Sequence, residues 1–129
     1  ALAAGLEKEA IDAQGKYQGS GSGFSFADLT ADMAGIEFAK KVLGQTSADL
    51  PVLLDRLAAE FRGADFVPGL DRWKDDPSEC QGWKEFAGRF GSLTDARLQA
   101  RIREIRAEVL SQEGHRKGVK GAAAGPGRA

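Results

Sequence analysis

Between Leu98 and Val109 the apolar residues Leu98, Ile102, Ile105 and Val109 follow one another at spacings of 4, 3 and 4. That is the repeat of one buried stripe on an α-helix, and a chain carrying it must cover that stripe with something. The opposite face holds Arg101, Arg103, Glu104, Arg106 and Glu108, which suits water. No segment alternates apolar and polar residues with period two over a useful length, and no internal repeat is visible. The expected class is all-α: a single domain of four or five helices over residues 1–113, followed by a disordered basic tail, 114–129.

The other helices follow from their punctuation. Residues 2–14 form a first helix with Leu2, Leu6, Glu9 or Ala10, and Ile11 along one stripe, stopped by Gly15. After the connection GKYQGSGSG, Ser25-Phe26-Ala27-Asp28 spells a capping box, and Phe24 and Leu29 are placed to form a hydrophobic staple. This second helix continues through Leu29, Met33 and Ile36 to Gly44, completing a helical hairpin over 1–44. A third starts at Thr46 or Ser47, with Pro51 in its first turn and Leu50, Leu53 or Leu54, Leu57, Ala58 and Phe61 on its apolar face. Residues 63–76 are irregular, with a turn at Pro68-Gly69 and one helical turn around Leu70–Trp73. A Gly-interrupted helix over Pro77–Phe90 and a helix over 93–112, opened by a second capping box at Ser92, complete residues 45–113.

Composition narrows the chemistry. The 129 residues suffice for a modest core, and no stretch approaches the ~18 apolar residues of a membrane span. Cys80 is the single cysteine, so neither an internal disulfide nor a cysteine-based zinc site is available, and a half-buried structural thiol is expected. Four of the 18 basic residues (Arg116, Lys117, Lys120 and Arg128) fall in the last sixteen positions, leaving fourteen against nineteen acids elsewhere. An acidic body with a basic tail offers weak, salt-sensitive anionic contact through that tail and no specific nucleic-acid signal. The chain opens at Ala1, and any export signal is expected upstream of it.

One constellation concentrates charge. Asp28 suits the positive end of the second helix, whereas Asp32 lies one turn on, beside Met33, and an inward carboxylate there needs a cation or a donor. If the first two helices pack antiparallel, Lys8, Glu9 and Asp12 face Asp28 and Asp32 as a buried network. Glu9, Asp12, Asp28 and Asp32 then offer oxygen ligands to a divalent cation; the plainer alternative is a salt-bridged helix pair with Lys8 neutralising an acid.

Here a resemblance enters. Gly5–Gly35, GLEKEAIDAQGKYQGSGSGFSFADLTADMAG, resembles the latter half of the YfiM-like family of small bacterial envelope lipoproteins. Lys8, Glu9 and Asp12 match its Lys-Glu-x-x-Asp group, and Ser25, Asp28, Asp32 and Gly35 match the stretch after its Gly/Ser spacer. A looser similarity reaches VanZ-like membrane proteins. The resemblance implies an envelope or periplasmic setting and no reaction; the residues themselves do not require that setting over the cytoplasm. The expected function is a non-enzymatic, envelope-associated protein with an acidic, ion-binding or structural helix pair. The alternative is an assembly subunit that binds a protein partner or a second copy through Leu98, Ile102, Ile105 and Val109 and the tail. A third reading starts from DLTADMAG, which resembles the downstream helix of gluzincin peptidases, with Asp28 as ligand and Asp32 as support. No HExxH accompanies it and His115 is the only imidazole, so that reading requires a longer metal-dependent hydrolase.

Overall fold

The computed structural model describes residues 2–17, 19 and 21–116. Its helices are α1 (Leu2–Tyr17), α2 (Phe26–Leu43), α3 (Asp49–Glu60), α4 (Trp83–Phe90), α5 (Ala96–Ser111) and α6 (Glu113–Arg116), with 3₁₀ turns at Gly63–Asp65 and Leu70–Trp73. The chain is all-α, as expected, with six helices among the described residues. Among the described residues no helix is long and apolar enough to cross a membrane.

The core is aromatic at one end and aliphatic along α5. Phe24, Phe26, Trp73, Phe86 and Phe90 pack with Leu29 and Met33 of α2 and with Leu98, Ile102, Ile105 and Val109 of α5. Phe26 stacks on Trp73 at 5.3 Å and meets Phe90 edge-on at 5.8 Å, while Phe24 stacks on Phe86 at 4.3 Å. The stripe at spacings 4, 3 and 4 is therefore covered by the chain itself. Those four side chains, expected at a partner surface, are instead buried in the chain's own core.

Four element boundaries differ most from the sequence expectation, because backbone groups there find partners other than those the local motifs assign. Helix α1 runs through Gly15 to Tyr17, and the returning loop caps its end, with Gly19 N–H donating to the Lys16 carbonyl and Gly23 N–H to that of Asp12. Its buried face is also rotated. Glu9, Ala10 and Ala13 face inward while Ile11, expected on the stripe, is 67% exposed. Residues 77–82 do not join α4, because their backbone groups are used elsewhere. Cys80 N–H donates to the Phe24 carbonyl, Phe24 N–H donates to that of Gln81, and Ser78 N–H closes on the Asp76 carboxylate. Helix α5 is capped by Asp95, whose carboxylate accepts Arg97 N–H, rather than by Ser92.

The fourth difference is at the C-terminus, where residues 114–116, assigned to the tail, are folded. Gly114 is buried so tightly that a Cβ would lie 2.7 Å from the Asp65 carbonyl and from the Phe66 ring. His115 Nε2 is hydrogen-bonded to the Phe66 carbonyl oxygen at 2.7 Å. The remainder of the predicted basic tail, residues 117–129, lies outside the described residues.

Candidate functional site at the start of the second helix

Four main-chain N–H groups open any helix without an intrahelical partner. In α2 they are satisfied by three different segments. Ser25 is the N-cap in extended conformation, and its hydroxyl oxygen accepts Asp28 N–H at 3.0 Å, the forward half of the capping box. The reciprocal bond does not come from Asp28. Ser25 N–H instead donates to Glu9 Oε2 at 2.8 Å, a carboxylate supplied by α1. Two further N–H groups, of Phe26 and Ala27, donate to Glu79 at 2.7 and 3.3 Å, and the Ser25 hydroxyl donates to the same carboxylate at 2.6 Å. Two glutamates from separate segments of the chain thus grip the positive end of α2, where negative charge is favoured.

Lys8 stands in the middle of the acids on the α1 side. Its Nζ lies 2.9 Å from Glu9, 2.9 Å from Asp12 and 3.7 Å from Asp28. Burial pushes the Glu9 carboxyl above its ordinary value, against the pull of the bonds from Lys8 and Ser25. The ammonium moves upward as well, held by its hydrogen bonds to Glu9 and Asp12. The two ends of this pair differ because Lys8 keeps most of its water and Glu9 keeps none.

Asp32 does not join this group. It is exposed, and its carboxylate lies over Gly5, whose missing side chain leaves the room: a Cβ there would be 3.0 Å from Asp32 Oδ2. It borders a groove of about 680 Å³ between α1 and α2, floored by small residues such as Ala4, Gly5, Ala31 and Gly35. The structure thus brings Lys8, Glu9, Asp12 and Asp28 together and leaves Asp32 outside. Among the described residues, no three His, Cys, Asp or Glu side chains are arranged to hold a metal ion.

Glu79 and Arg101 are the members that sequence reasoning missed. Glu79 sits in KDDPSECQG, which has no pattern marking a carboxylate as a cap for a helix more than fifty residues earlier. Arg101 was assigned to the solvated face of α5, yet its guanidinium lies 5.0 Å from the Phe26 ring and 5.8 Å from that of Trp73. It also pairs with Asp76 at 3.6 Å and donates to the Ser78 hydroxyl. Burial pushes the Asp76 carboxyl upward, but the bonds from the Ser78 hydroxyl and N–H and the Arg101 charge outweigh it, holding it below the usual range.

The nucleophiles near the site are ill placed for chemistry. The Ser25 hydroxyl is buried and occupied by Glu79 and Asp28 N–H. Cys80 is half-buried, with its thiol pushed up by burial and by the neighbouring Glu79, opposite to what a nucleophilic thiolate needs. His115, the chain's single imidazole, is engaged with Phe66. Compared with protein-family models, curated proteins and solved structures, the chain matches none.

Proposed function

We propose that the chain is a non-enzymatic protein of the bacterial cell envelope, in which the acid-rich helix pair fastens α1 across the start of α2. The observation that carries this reading is the position of Lys8. Its ammonium sits among Glu9, Asp12 and Asp28 where a metal would otherwise be needed to hold these acids together. Glu9 satisfies one main-chain donor at the cap of α2 and Glu79 two, a role that ends in structure rather than turnover. The envelope setting rests on the resemblance of Lys8, Glu9, Asp12, Ser25, Asp28, Asp32 and Gly35 to the YfiM-like pattern.

The two halves of this reading are tested separately. Fractionation of cells expressing the whole gene should recover the product with membranes or periplasm; recovery with cytosolic markers alone overturns the location. Calorimetric titration of the purified protein with Ca²⁺, Mg²⁺ or Zn²⁺ should show no saturable binding at micromolar metal. Tight binding abolished by Asp12→Asn and Asp28→Asn would replace the fastening with a metal centre.

A further inference from the structure

Helix α2 is apolar on two faces. The inner one, with Phe26, Leu29, Met33 and Ala34, is buried in the core. The outer one carries Ala31, Gly35, Ala39 and Leu43, all exposed. Leu43, at 84%, is the most exposed large apolar side chain among the described residues. A helix that is apolar all round is normally covered all round. Here the outer face instead forms one wall of the groove of about 680 Å³, with Ala4 and Gly5 of α1 opposite. Side chains this small let a second helix come close, and nothing lies within 4 Å of where a Cβ on Gly35 would stand.

Charge decides what fits there. Asp32 and Lys40 line the same groove from α2, both exposed, about 12 Å apart along the helix axis. Asp32 takes part in none of the ion pairs among the described residues. Lys40 lies 3.2 Å from Glu37, which keeps Arg106 at 3.3 Å if Lys40 turns outward. The midpoint between Asp32 and Lys40 is Ile36, and that of the small residues Ala31, Gly35 and Ala39 is Gly35, only about 1.5 Å away along the axis. An acid and a base placed evenly about a common centre are complementary to the same surface turned end for end. A ligand of one sign meets its own charge at Asp32 or at Lys40, whereas a second copy of this helix meets the opposite charge at both.

We propose that this groove is the interface of a two-fold symmetric dimer, in which α2 of one copy lies antiparallel against α2 of a second. Gly35 sits near the axis, and Asp32 of each copy pairs with Lys40 of the other. Such an interface is isologous: one surface serves both copies, so the contact closes at two and does not propagate. It is one helix pair wide, which places it in the small, reversible class rather than among obligate dimers. Neither glutamate of the α2 cap takes part, and the dimer stands whether or not the protein belongs to the envelope.

Sedimentation velocity of the full chain, from about 5 to about 500 µM, should show a monomer–dimer equilibrium. A monomer throughout overturns the proposal. Gly35→Glu sets two carboxylates together at the axis and should remove the dimer, while the melting temperature of the dilute chain holds because the site is open. A dimer that survives this change is built elsewhere and defeats the assignment. The charge pattern is read by exchange between two exposed positions, so folding is not at stake. Asp32→Lys and Lys40→Asp each place like charges opposite one another and should weaken self-association about tenfold or more. Mixed in equal amounts, the two variant chains regain both ion pairs and should associate about as well as the unaltered chain. If the mixture associates no better than either variant alone, the antiparallel pairing is wrong.

Discussion

At the start of α2, Phe26 lies fully buried between Trp73, Phe90 and Phe24, with the Arg101 guanidinium above its ring and two glutamates holding the preceding turn. Helix α3 begins some twenty residues later with hardly less apolar material, yet only Leu53 of its residues is buried. No side chain of its N-cap, Ala48, reaches back to it, although the Thr46 hydroxyl accepts Asp49 N–H at 3.0 Å. Val52 and Leu54 remain exposed, and α3 is moored at its far end, where Phe61 stacks on Phe66 and meets Phe38 edge-on. The difference teaches that periodicity alone does not decide which helix is anchored. Both have it, but only the start of α2 receives partners from α1, the Leu70–Trp73 turn, the segment carrying Glu79, α4 and α5. Local stability follows that count of independent attachments rather than helix propensity.

The contrast can be broken or sharpened by substitution. The largest effect is expected for Phe26→Ala, which empties the aromatic centre and removes the surface under Arg101; a cost of about 3–5 kcal/mol is expected by urea denaturation. A cost near that of a surface change would show that α2 is not the anchored element. Next comes Glu79→Ala. It strands the N–H groups of Phe26 and Ala27 and the Ser25 hydroxyl, and should cost about 1–3 kcal/mol with earlier amide exchange at residues 26 and 27. Exchange unchanged at those two amides would mean that water replaces the carboxylate and that the cap is not a tertiary device. The smallest effect belongs to α3. Leu54→Lys should shift stability by no more than about 0.5 kcal/mol, because the side chain is already half in water. A larger loss would place α3 in the cooperative core and erase the distinction.

The pH behaviour of two carboxyls extends the same lesson. Glu9 and Asp76 are both drawn toward the interior, yet Glu9 moves up and Asp76 moves down. Asp76 accepts two bonds from Ser78 and has the Arg101 guanidinium largely to itself, whereas Glu9 shares Lys8 with Asp12 and Asp28. Donors per acid, not burial alone, set the direction.

Ser25 was legible as a cap because a capping box is written within four consecutive residues, and the stripe of α5 because helical periodicity repeats within a few turns. The helical class and the positions of α2, α3 and α5 follow from such short-range rules, within a few residues at their ends. Asp28 shows where local spelling fails: the motif assigns it the return bond to Ser25, and Glu9 takes that bond from sixteen residues away. Asp32 resembled a fifth member of the cluster by spacing, but the crossing of α1 over α2 set Gly5 beneath it and left it in solvent. Glu79, Arg101 and the rotated face of α1 were likewise decided by tertiary contacts alone. The physical reason is range. A main-chain hydrogen bond within a helix joins residues four apart and leaves its mark in the sequence, whereas a buried carboxylate needs only a donor within about 3 Å in space, from any distance along the chain.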